Sequence, residues 1–449
     1  LKRIADLHPS NLRYLFYLVT PSETTFANVA EVPDYMDTMS SWMLLLIVIS
    51  LFVDRKNYPF NDTATSVLSG QLYLLFKLSG SIFSAAIYSA VYEKVHLVDL
   101  DIYNPWVWFL AFLAQDLAYY LGHRAMHEFG IFWAFHEMHH SSEYFNLATA
   151  VRKSPFLEHF VGVFNLFQAF VIPPQLYVPH KHLNFIYQYW IHNEYLPSLG
   201  PLEYVLCTPS NHRVHHGRNP YCIDRNFGGV LIIWDRLFGT YAEEREDEKI
   251  AYGLVHNVNT FSLIWTQISS FSYFLRTKCH MKDENGREYF PGFWNKLFSI
   301  FAPVGYFPGM KTRRFLFWKH LADNTEGIPE VDHSQPKYDP PTSFREKAYI
   351  FFQGFLLMIV YLEMERKRMT MGCIDFWLQT ALFLCISQSF GYYLDNHPYA
   401  VAYDWCKNVL ILVYLLLRPF SLALLLISLT SSLLLTYFQW KDYSNTRKC

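Results

Sequence analysis

The apolar residues of this chain gather into runs, several of them close to the roughly 20 residues that carry a helix across a bilayer. They read as 42–53, 66–92, 106–121, 156–178 (broken at Pro173-Pro174), 183–196, 348–364, 376–394 and 409–438 (broken at Arg418-Pro419). About seven to nine membrane segments are expected from them. The charged fraction, 17% of 449 residues, lies below the quarter usual in a soluble protein. The predicted fold is therefore all-α: a multi-pass transmembrane helical bundle. A formal net charge of −2 gives no basic face for nucleic acid.

Four zones follow from composition. Residues 1–122 form an N-terminal transmembrane section, and 123–260 form a polar, histidine-rich catalytic region with a membrane hairpin. Residues 261–345 are a loop-rich connection, and 346–449 a C-terminal transmembrane section. No cleavable signal peptide is read at the start. The seven cysteines are scattered without a C-x-x-C pair, as in reduced packing positions. Asn61-Asp62-Thr63 is a formal glycosylation sequon.

Twelve of the nineteen histidines lie between His123 and His216. They fall into His123-x3-His127, His136-x2-His139-His140 and His212-x2-His215-His216. On a helix, positions three and four apart share a face, so each cluster is expected to aim its imidazoles toward one point. Neutral imidazole binds iron, zinc, copper and nickel. Residues 136–140 also satisfy H-E-x-x-H, the zinc-protease pattern, but that reading uses two histidines and leaves six. One metal takes about four ligands; eight histidines suit two metals. The clusters must then lie on one side of the bilayer, and the two apolar stretches between His140 and His212 permit it. Arg124, Arg152, Lys153, Arg213, Arg218 and Arg225 make that side cytosolic. Three crossings before it would leave Asn61 in the cytoplasm, unmodified. A metal transporter would instead need ligands strung along an intramembrane path.

This histidine series between hydrophobic segments resembles the fatty acid hydroxylase/sterol desaturase superfamily. "PSETTFANVAEVPDY", "HHSSEYFNLATAVRKS" and "TPSNHRVHHGRNPYCIDRNFGGVLIIWDRLFGTY" are similar to its tetrahydrobiopterin-dependent, ether-lipid-cleaving branch. The resemblance implies that His123, His127, His136, His139, His140, His212, His215 and His216 bind two iron ions in a cytosolic helical cap. It implies an endoplasmic reticulum membrane enzyme using O2 and tetrahydrobiopterin. Its substrates would be 1-O-alkylglycerol and lyso-alkyl phospholipid, hydroxylated at the ether-linked carbon. Glu128 matches a glutamate whose loss impairs the branch, either by orienting a ligand or by contacting the pterin. His192 and His256 are candidates for an extra ligand or a hydrogen-bonding neighbour of one. The alternatives are a cytochrome-coupled sterol or sphingolipid hydroxylase or desaturase, and the zinc protease.

Overall fold

The structure, a computed structural model, describes residues 6–157, 162–308, 328–367, 370–418 and 421–446. Within the expected runs, residues 158–161 and 419–420 lie outside it. The described residues are almost entirely helical, with three isolated β-bridges and no strand. The main helices are α1 (Tyr35–Val53), α2 (Phe60–Val95), α3 (Pro105–Glu128), the single turn α4 (Glu137–His140), α5 (Pro174–Trp190), α6 (Pro209–His216) and α7 (Leu263–Arg276). The C-terminal bundle follows: α8 (Phe344–Lys367), α9 (Cys373–Leu394), α10 (Ala400–Leu417) and α11 (Leu422–Thr446).

Four helical segments among the described residues, Val29–Val53, α8, α9 and α10, are long and apolar enough to cross a membrane. α2 makes a fifth if Phe60–Lys77 and Ile82–Val95, bent by 43° from each other, count as one span. Fewer helices among the described residues meet that test than the seven to nine segments expected. The runs 106–121 and 183–196 fold as α3 and α5, and much of 156–178 is a 3-10 helix at Gly162–Phe170. Their polar residues explain the difference. Asn184 Nδ2 donates to Asp116 Oδ1 at 2.7 Å, and Gln168 Nε2 to Gln115 Oε1 at 2.9 Å. These helices bury polar faces against one another, which averaged hydropathy hides.

α2 is the spine. Its N-terminal half (Leu68, Leu72, Leu75, Phe76) enters the core shared by α8–α11. Its Tyr88 joins a second core with Ala111 of α3 and Leu176 and Tyr177 of α5. A third core packs α1 (Met39, Met43, Ile47) on α5 (Leu183, Ile186, Tyr189). Asn61 is buried in the first turn of α2 and donates to the Pro340 carbonyl at 3.0 Å. A glycan has no room there, which agrees with an unmodified sequon.

The C-terminal bundle encloses a charge pair. Lys407 and Asp404, both fully buried on α10, contact each other. Lys407 Nζ also meets Tyr349 Oη (3.0 Å), Gln353 Oε1 (3.2 Å) and Ser431 Oγ (2.9 Å), from α8 and α11. Breaking a buried pair by removing one partner costs about 3–5 kcal/mol. Lys407→Met is therefore expected to lower the melting temperature in detergent markedly. Lys407→Met with Asp404→Leu is expected to recover most of the loss.

Candidate metal centre

Each histidine cluster sits at a helix end, but the clusters do not each serve one point. His123 and His127, one turn apart on α3, join His136, His140 and His215 in one buried group. His139, His192, His212 and His216 form a second. Within each group the ligand atoms lie within 4.8 Å of one another. The i, i+4 pairs His136/His140 and His212/His216 stay together, while the residue beside each pair's end, His139 or His215, goes to the other group. Consecutive side chains on a helix diverge by about 100°, so an adjacent His-His pair supplies two centres. The expectation of one target per cluster is corrected accordingly.

The remaining candidates divide. His192 follows the end of α5 and stands fully within the second group. His256 is exposed and in neither group. Glu128 is in neither group; its buried carboxylate is bound by Arg124 Nε at 2.8 Å. Tyr119 lines the cavity described below, whereas Tyr120 Oη bonds Thr240 Oγ1 at 2.9 Å. Glu137, the acid of the H-e-x-x-H match, accepts from Ser269 Oγ at 2.8 Å and is in neither group.

The outward ring nitrogens identify the tautomers. A carbonyl only accepts, so His139 Nδ1 donates to Arg152 O (3.2 Å) and His192 Nδ1 to Gln188 O (2.5 Å). Their Nε2 atoms are then bare lone pairs, yet face each other at 3.3 Å. His123 Nδ1 donates to Phe227 O (3.0 Å) and His215 Nδ1 to Arg225 O (2.8 Å). His123 Nε2 faces His136 Nε2 at 3.2 Å, and His215 Nε2 has no hydrogen-bond partner. The lone pairs of His139 and His192, at this spacing, repel unless a cation lies between them. Imidazoles bound at about 2.1 Å to one ion would stand about 3 Å apart at right angles. Burial pushes His136, His139, His140, His212, His215 and His216 well below their ordinary pKa, and neighbouring imidazoles push the same way. Both effects favour the neutral ring, the form that binds metal. The donor set fits a pair of transition-metal ions.

The carbonyls that hold His123 and His215 come from the loop after α6. Asp224 and Asn226 take left-handed backbone, φ 55° and 54°, which Asp and Asn tolerate best after glycine. This kinks the chain so that Arg225 and Phe227 turn their carbonyls toward His215 and His123. Two buried acids pin the loop. Asp235 accepts from Phe227 N, Gly228 N and Thr240 Oγ1, each at 2.7 Å; burial lifts it to about 6. Asp116 accepts from Val230 N (2.7 Å), Leu231 N (3.1 Å) and Trp234 Nε1 (2.9 Å). The backbone reaches these carboxylates only because residues 228 and 229 are glycines: a Cβ on Gly229 would stand 2.7 Å from Asp116 Oδ1. Sequence reading missed both aspartates. Their signal was an acid inside an apolar run, rare without a function.

A cavity opens on His136 of the first group and on His139, His192 and His212 of the second. Tyr119, Phe135, Leu157 and Phe185 give it apolar wall, while Gln115, Asn165 and Gln188 add polar points.

Fold and site together define a helical protein with several apolar helices of membrane-crossing length and a paired, all-histidine metal pocket. The fatty acid hydroxylase family profile matches residues 108–240, the span that holds this pocket. The alkylglycerol monooxygenase of Caenorhabditis elegans is 37% identical over 410 residues, covering 90% of this chain and 81% of that protein. The alkylglycerol monooxygenase of Homo sapiens is 37% identical over 410 residues, covering 89% and 87%. That of Xenopus tropicalis is 37% identical over 405 residues, covering 89% and 86%. No solved structure is significantly similar. The chain belongs to the alkylglycerol monooxygenase family.

Asp235→Asn would set amide hydrogens against either the Phe227 or the Gly228 N–H group and loosen the carbonyl behind His123. Loss of a ligand-orienting partner costs about 10–100-fold in metal affinity. Chelator competition on the purified variant is expected to show a loss in that range.

Proposed function

We propose that this chain is a tetrahydrobiopterin-dependent, di-iron monooxygenase of the endoplasmic reticulum membrane. Its substrates are 1-O-alkylglycerol lipids, lyso-alkyl phospholipids among them, and the reacting atom is the alkyl carbon bonded to the ether oxygen. The observation that supports it most is the pair of bare nitrogens of His139 and His192, facing each other at 3.3 Å in a buried pocket. One ion is assigned to His123, His127, His136, His140 and His215, and the other to His139, His192, His212 and His216. Zinc would satisfy the donors but has no redox chemistry; iron supplies reductive activation of O2, with the pterin as electron source. The clustered cations Arg124, Arg152, Lys153, Arg213, Arg218 and Arg225 support a cytosol-facing centre. Residues 123–260 are proposed as the catalytic region, 1–122 and 346–449 as the membrane sections, and 261–345 as their connection.

The chain's own residues position and exclude. The apolar walls of the cavity hold the alkyl chain and keep water from the reacting carbon. One oxygen atom of O2 enters the C–H bond, and the other leaves as water with two electrons from the pterin. The product is a hemiacetal, which collapses to a fatty aldehyde and a glycerol derivative. Of the two roles open to Glu128, we assign the orienting one. Through Arg124, whose Nη1 donates to Tyr120 Oη at 3.3 Å, it joins a chain that runs by Thr240 to Asp235 and the Phe227 carbonyl behind His123.

Membranes containing the protein are expected to release fatty aldehyde from 1-O-alkylglycerol only when tetrahydrobiopterin is added. Turnover that requires a cytochrome donor instead would favour the sterol or sphingolipid hydroxylase reading. His192→Ala is expected to lose one of the two ions and to lower activity by at least about 100-fold, as for ligand-shell damage. Metal analysis beside the assay checks both.

A further inference from the structure

Among the described residues, the C-terminal helices α8–α11 give no histidine to either group, yet they are joined to the segment that gives three. That segment is the single turn α4, preceded by His136. Four residues cannot hold a helix by themselves, because nucleation costs more than one turn returns. Here the turn must also aim His136 and His140 at one group and His139 at the other. It needs outside support, and most of that comes from the C-terminal side.

Met138 stands between His136 and His139. Its side chain, 1% exposed, belongs to the core that α2 shares with α8–α11. Its sulfur accepts from Ser69 Oγ of α2 (3.3 Å) and from Thr266 Oγ1 of α7 (3.7 Å), and contacts the Gln267 amide. Ser269 of α7 holds Glu137. Arg152 Nε donates to the Met138 carbonyl from the other side, at 3.2 Å. α7 is in turn seated on α9. Gln388 Oε1 accepts from Ser262 Oγ (3.0 Å) and Ile264 N (3.2 Å) at the N-terminus of α7. Asp395, just past α9, accepts from Phe261 N (2.8 Å) and Thr260 Oγ1 (2.5 Å). The backbones press together here: a Cβ on Gly391 would stand 2.7 Å from the Phe261 carbonyl.

We propose that the C-terminal bundle is the seat of the metal-binding turn. Acting through Gln388, α7 and Met138, it fixes the directions in which His136, His139 and His140 present their rings. Gln388, Ser269 and Met138 are positioning residues: they touch neither metal nor substrate. This rests on the reading of the two histidine groups as metal sites.

The test uses the full chain in detergent, loaded anaerobically with ferrous iron. It reads iron affinity by chelator competition and ligand geometry by near-infrared circular dichroism of the ferrous sites. Gln388→Ala and Ser269→Ala are each expected to weaken iron binding about tenfold, the lower end for groups that orient ligands, and to alter the spectrum. Gln388→Glu keeps an acceptor at the N-terminus of α7, where the helix dipole favours it, and is expected to restore both. Gln353→Ala, deep in the bundle and off this path, is expected to lower the melting temperature without moving affinity or spectrum. The proposal is overturned if Gln388→Ala and Ser269→Ala bind iron with wild-type affinity and spectrum, or change no more than Gln353→Ala does. Wild-type protein that holds no iron would instead sink the metal-site reading, and this proposal with it.

Discussion

The rest of the structure is arranged around nine buried imidazoles in two groups, four of them with bare nitrogens turned inward. Backbone carbonyls fix the outer N–H groups of His123, His139, His192 and His215, so the inward lone pairs of these four have no protons to share. Such an arrangement is repulsive on its own terms. It becomes favourable when cations sit between the rings, and metal binding then supplies folding free energy. The two groups are interleaved by the simplest rule of helix geometry: neighbouring histidines on one turn diverge far enough to serve two ions.

The scaffold answers this need from several directions. The loop after α6 carries the carbonyls behind His123 and His215, and buried Asp116 and Asp235 hold that loop by its amides. α2 links the first core to the second, and the C-terminal helices reach back to the turn around Met138. A cavity with apolar walls meets both groups, an environment that suits an alkyl chain. A polar centre bound to an apolar slot is what oxidation of a membrane lipid requires.

Much of the centre was legible in the sequence. The spacing of His123 and His127, and of the two H-x2-H-H clusters, places eight imidazoles on helix ends, and all eight stand in the two groups. What spacing cannot show is partition: His139 and His215 leave their clusters for the other group because of side-chain direction on the turn. His192 was legible only as a candidate, since a lone histidine after an aromatic stretch is more often a packing residue. His256 shows the same pattern and lies exposed. Fewer helices than expected are apolar enough to cross a membrane because α3 and α5 carry Gln115, Asp116, Asn184 and Gln188 among apolar neighbours. Asp116 bonds Asn184 and Gln115 bonds Gln168 in the fold, pairings that belong to tertiary packing. Asp116 and Asp235 escaped notice because an acid in a helix reads first as a solvated one.

The most direct test of the account is where the metal sits in the purified protein. An anomalous difference map collected at the iron edge should show two peaks, one among His123, His127, His136, His140 and His215, and one among His139, His192, His212 and His216. A map with no iron peak, or with a lone zinc held by His136 and His140, would contradict it.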